Sequence, residues 1–164
     1  MRKIKTREME IVLATHFKFL TNLVIPNVSY GFLPYEADLL VLMKSGWVDE
    51  VEIKVSLSDL KADAKKRHTH DSPKLRRLYF AIPEYLVEKG LQYIPEKAGV
   101  LVVSDKEYCN YKKEVTIKRE VVKLREAKIN KVASKLTAED QFKMVRLGAI
   151  RVWGLKKKIM KYLD

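Results

Sequence analysis

Two apolar runs of strand length dominate the pattern of this chain, one from Tyr35 to Leu42 and one from Val48 to Lys54, separated by Lys44-Ser45-Gly46. Apolar runs of this length around a Ser-Gly break predict a β-hairpin. Upstream, Thr6 opens a helical pattern in which Met9, Leu13 (or Val12), His16 (or Phe17) and Leu20 recur at helix spacing. Leu23 to Tyr30, interrupted by Pro26 and Asn27, predicts a short or edge strand. A helix is expected from Ser58 to about His68, capped by Ser58 with Asp59 in its first turn.

Arg77 to Pro83 and Ala98 to Ser104 are continuous apolar runs of the kind buried on both faces, and a short helix from Glu84 closed by Gly90 lies between them. Strand, helix, strand predicts a crossover that leaves the two strands parallel. Asp105 to Asn110 reads as a loop, Lys113 to Val122 as a strand and Lys123 to Lys135 as helix-permissive. Thr137 then opens a last helix with Phe142, Val145, Ala149, Val152, Ile159 and Leu163 as its apolar seam. The class is α/β: a mixed central sheet flanked by helices.

Charge sharpens this picture. The net charge is +12, yet residues 1–111 carry 17 Lys/Arg against 15 Asp/Glu, and residues 112–164 carry 16 against 6. The cationic load therefore sits in the last third, which points to a polyanion partner with salt-sensitive phosphate contacts. One domain fits the length, with residues 1–110 as core and 111–164 as a basic strand and helix extension packed on it. A single cysteine, Cys109, rules out an internal disulfide. No apolar run reaches the ~20 residues a membrane helix needs, so a cytoplasmic protein without membrane association is expected.

Three charged residues stand out within the hairpin. Strand alternation gives Glu52 and Lys54 a common face, and the natural register brings Asp38 beside them. Two carboxylates in contact repel unless a cation sits between them, and hard oxygen donors suit Mg²⁺ or Mn²⁺. A lysine on the same face could serve an attacking water or stabilise charge on a phosphate. A weak solvent-facing Glu–Lys pair is the alternative.

Asp38, Glu52-Ile53-Lys54, the run Ser56…Asp59…Asp63…Lys66, then Leu78 to Pro83 and Pro95 to Val103 together resemble the PD-(D/E)XK nuclease superfamily, closest to its MmcB-like, DNA-repair-associated branch. The resemblance spans roughly Met9 to Ser104, with Ala37 where the superfamily's name has proline. It implies a restriction-endonuclease-like core of bacterial or phage type and a metal-dependent DNA nuclease directed to structure or ends. Asp38 and Glu52 would hold the metal with the Ile53 carbonyl, and Glu10 (or Glu8) from the first helix could join them. Catalysis would rest on Asp38, Glu52 and Lys54. A DNA-binding protein without turnover on the same fold is the alternative.

Lys65, Lys66 and His68 are candidates for phosphate contacts, or else a solvated helix face. Lys143, Arg146, Arg151 and Lys157 are the candidates on the last helix, which could instead pair with a second copy or cover the sheet. His68-Thr69-His70-Asp71 has metal-like spacing but no third soft ligand, and reads as an exposed loop near the substrate entrance. Tyr30 and Tyr35 flank the hairpin as packing residues or nucleotide-stacking ones.

Overall fold

Strand pairing in a computed structural model, which describes residues 3–28, 31–65, 70, 72–109, 111 and 114–161, gives one six-stranded mixed sheet in the order β1-β2-β3-β4-β5-β6. The strands are β1 (Leu23–Val28), β2 (Ala37–Leu42), β3 (Val48–Ile53), β4 (Arg77–Pro83), β5 (Gly99–Cys109) and β6 (Val115–Arg125). The expected hairpin is present: β2 and β3 are antiparallel, with Leu39 opposite Val51 and Leu40 opposite Glu50. Gly46 closes it at φ 86°, a left-handed backbone that glycine adopts without a Cβ clash. The expected parallel crossover also holds, β4 lying parallel to both β3 and β5.

Period two divides the hairpin between two layers. Leu39, Val41, Val51 and Ile53 pack with Tyr79, Ala81, Leu101 and Val103 under α1 (Thr6–His16), whose Met9 and Leu13 are fully buried. Burial of each such side chain stabilises by roughly 1.5–3 kcal/mol. On the opposite face, Leu60 of α2 (Leu57–Ala64) joins Leu78, Phe80, Ile82, Val100 and Val102. Beside it, Met144 of α4 (Ala138–Met160) joins Ile25, Leu40, Leu42 and Val48. A short α3 (Val87–Gly90) sits in the β4–β5 crossover.

Several expectations need correction. Residues 105–109 continue β5 as strand, because β6 pairs with them to Cys109. No helix forms over 123–135: β6 runs to Arg125, and the chain to Thr137 is irregular. α2 starts one residue earlier than Ser58, with the Ser56 hydroxyl accepting from the Asp59 amide. α4 does start at a Thr137 cap. Its expected seam, however, faces away from the sheet: Phe142, Val145, Val152 and Ile159 are exposed, and the packed face carries Met144 and Leu147. No helix among the described residues is long and apolar enough to cross a membrane.

Candidate active site

Lys54, just past the end of β3, is the hub of a buried polar cluster. Its Nζ lies 2.5 Å from Glu52 Oε2, 3.2 Å from Asp63 Oδ1 and 3.6 Å from Asp38 Oδ2. Glu52 and Lys54 share a strand face, as alternation requires. Asp38 reaches them from β2, where its Oδ2 also accepts the Ile53 amide at 2.8 Å. The structure thus brings together the three residues singled out from the sequence. Asp38 is the exposed member, at 37% side-chain accessibility against 2% for Glu52.

Behind Glu52 the cluster continues inward. Glu50, fully buried on the same face of β3, accepts from the Tyr35 hydroxyl at 2.9 Å and lies 3.0 Å from His70 Nδ1. His70 Nε2 lies 3.6 Å from Asp63 Oδ2, so the ring spans α2 and β3. Tyr35 is therefore buried beside this histidine, edge-on to its ring. Glu50, Asp63 and His70 were missed as site residues in the sequence. Glu50 shares Glu52's face by period two, which was the available signal. His70 corrects the expectation of an exposed loop: it is buried and anchored to two acids.

The charges explain the protonation states. Burial pushes the Glu52 carboxyl up to about 7, the neighbouring Asp38 charge adds to that, and Lys54 opposes it. Burial works against charge on His70, but hydrogen bonds to Asp63 and Glu50 and the charges of Glu50 and Glu52 outweigh it and lift the imidazole to about 9. Lys54 likewise loses solvation, yet its carboxylate partners raise its pKa above the ordinary lysine value. Four carboxylates (Asp38, Glu50, Glu52, Asp63) meet two cations (Lys54, His70), an excess of two negative charges when Glu52 is ionised and of one when it is protonated.

Such an excess is what a divalent cation neutralises. Glu52 Oε1 is buried without a hydrogen-bond partner among the described residues. Glu50, Glu52 and His70 each offer a ligand atom within 4.8 Å of one another, and this group could bind a metal ion. Glu10 accepts from Asn27 Nδ2 at 3.1 Å, on the strand paired with β2 beside Asp38. Glu8, the other first-helix acid, caps α1 at the Lys5 amide and pairs with Arg119 at 2.9 Å.

The candidate DNA contacts are spread over two helices. Lys65 is exposed at the C-terminal cap of α2, while Lys66 and His68 lie outside the described residues, as does Tyr30. On α4, Lys143, Arg146 and Lys157 are exposed. Their spacings of three and eleven residues place them along one flank. Lys143 also pairs with Glu139 at 2.8 Å. Arg151 differs: its guanidinium donates to the Asn27 carbonyl on β1, the strand edge next to Asp38.

A family profile described as DNA repair protein MmcB-like matches residues 6–153. Among solved structures, a protein of unknown function from Silicibacter pomeroyi is similar, with a TM-score of 0.57 at 16% identity over 91% of this chain and 86% of that one. At that identity the likeness concerns the fold alone. No curated protein matches by sequence.

Proposed function

The chain belongs to the MmcB-like family of DNA-repair proteins, and from that premise we propose that it is a metal-dependent DNA phosphodiesterase on a PD-(D/E)XK, restriction-endonuclease-like core. The observation that carries the reading is the meeting of Asp38, Glu52 and Lys54 at one spot, two carboxylates against one ammonium. A protein that only bound the anionic backbone would gain nothing from buried, mutually repelling carboxylates facing its ligand.

In this reading Asp38 and Glu52, with the Ile53 carbonyl, would hold Mg²⁺ or Mn²⁺ as oxygen donors. Such an ion supplies Lewis acidity at a phosphoryl oxygen and lowers the pKa of a bound water. The chain's own residues do the rest. Lys54, held charged by its three acidic neighbours, orients the attacking water and stabilises negative charge on the phosphate. Asp38 accepts the Ile53 amide, which fixes the spacing between the β2 and β3 ends. Tyr35 and His70 hold Glu50 and spare Glu52 a second unbalanced charge. His70, held between Glu50 and Asp63, serves charge balance in this reading, and the ion sits on the more exposed Asp38 side.

Cations on α2 and α4 would bind backbone phosphates without reading sequence. Incubation of linear, branched and single-stranded DNA with the protein and Mg²⁺ or Mn²⁺ tests the activity. Cleavage that persists unchanged in a folded Glu52→Ala protein refutes the site. A homodimer through α4 would bury Phe142, Val145 and Val152, and sedimentation velocity of the full chain decides it.

A further inference from the structure

A cavity of about 110 Å³ opens at the start of β4, and its wall carries Arg76, Arg77, Lys97 and Lys128 with His70 and Asn130. No carboxylate lines it among the described residues. The two acids that act on Arg77 lie elsewhere. Asp49 is buried opposite it on β3, and Glu126, 4.0 Å from Arg77 Nε, is engaged by the Tyr79 hydroxyl and by Lys123.

The frame of this cavity is tied down. Asn130 Nδ2 donates to the Ser72 and Leu75 carbonyls at 3.1 and 3.0 Å, and its amide donates to the Arg76 carbonyl at 2.9 Å. The Lys128 amide donates to the Lys97 carbonyl at 2.9 Å, so the segment after β6 bridges the entrances of β4 and β5. Arg76 is held against the Trp47 ring, 5.1 Å from its centroid. Arg77 contributes to the cavity's positive potential, although its Nε is turned toward Glu126 outside it.

Size and position narrow the ligand. The volume is a few times the ~30 Å³ share of one water, enough for a tetrahedral oxyanion. His70 forms the partition: one side of its surroundings is this cavity, and the other is Glu50 and Asp63. We propose that the cavity binds a phosphoryl group of a DNA strand, one imidazole ring away from the carboxylate cluster. Only the choice of DNA as bearer of the phosphate rests on the function proposed above.

Fluorescence anisotropy in EDTA separates the two ideas, because no cleavage can occur. Labelled oligonucleotides ending in a 5′-phosphate, a 3′-phosphate or hydroxyls are titrated with the parent, with Arg76→Ala/Lys128→Ala, and with a control lacking two exposed lysines outside the cavity, Lys18→Ala/Lys89→Ala. Thermal melting verifies each fold. The cavity variant should bind about tenfold more weakly, beyond the control's loss of general electrostatic attraction. Inorganic phosphate should compete with the parent and not with the cavity variant. A terminal phosphate as the ligand predicts a preference for phosphorylated ends that vanishes in the variant, and an internal one predicts equal weakening for all ends. Equal affinities for the cavity and control variants, with phosphate competition unchanged, would overturn the proposal. Phosphate competition that maps to the cavity while no substrate is ever cleaved would uphold it and sink only the enzymatic reading.

Discussion

The Lys54 ammonium and the Glu52 carboxylate meet at 2.5 Å, both buried, with Asp63 and Asp38 as the lysine's further acidic neighbours. Removing the lysine from such a site leaves like charges facing one another. Lys54→Met should therefore cost about 3–5 kcal/mol of stability at pH 8, with much of that returning near pH 5 as Glu52 protonates. Glu52→Gln should keep the fold, since Asp38 and Asp63 still hold the lysine, and yet lose cleavage by ~100-fold or more. Urea melts at the two pH values, set beside single-turnover cleavage, distinguish the variants. Equal stability loss at both pH values would contradict the charge argument.

Protonation would compete with the proposed metal binding at Glu52. Its folded pKa of about 7 lies above the ordinary 4.5, so its contribution to stability is full below pH 4.5 and is lost as pH rises through 7. His70, lifted from 6.5 to about 9, loses its contribution between those values, in the same direction. The metal-free protein should thus soften steadily from pH 5 to 9. A divalent ion that needs ionised Glu52 reverses part of this trend. Melting temperatures with and without Mn²⁺ should differ little at pH 5.5 and by several degrees at pH 8. A shift of equal size at both pH values would count against Glu52 as a ligand.

Asp49 offers an independent test of the same electrostatics, away from the cluster. Burial lifts its carboxyl from 3.8 to about 6, against the pull of Arg77 and Arg76, and its Oδ1 has no hydrogen-bond partner among the described residues. Its stabilising contribution is present below pH 3.8 and lost as pH rises through 6. Asp49→Asn should gain on the order of 2–3 kcal/mol over the parent at pH 8 and nothing at pH 4. Guanidinium melts at both pH values read this directly.

Reversing charge on the outer flank of α4 tests the DNA surface. Arg146→Glu and Lys157→Glu should each weaken DNA binding across all sequences and lower the log–log salt slope by about 1. Neither should alter the metal-induced melting shift, because both side chains are exposed and lie outside the carboxylate cluster.

What could be read from the sequence follows from how local each signal is. The hairpin announced itself through two apolar runs and Gly46, and alternation alone placed Glu52 and Lys54 together. Asp38 followed from the register. His70 was misjudged because its neighbours in sequence are polar: its burial comes from Glu50, twenty residues earlier, and Asp63, which no local pattern reveals. The α4 seam failed for a related reason. Phe142, Val145 and Val152 form the more obvious stripe, but the sheet took Met144 and Leu147, leaving the stripe outward. Residues 105–109 are polar because they lie exposed, and only the partner strand β6 makes them β.

Arg151 fastens α4 to the carbonyl of Asn27, on the strand beside Asp38. Cations on that helix are consequently not on a tether: their offset from the carboxylates is built into the folded body. On the activity proposed above, a duplex gripped along the helix would meet Asp38, Glu52 and Lys54 at a set number of nucleotides from its point of grip. Its products would then form a narrow band of lengths in place of a smear.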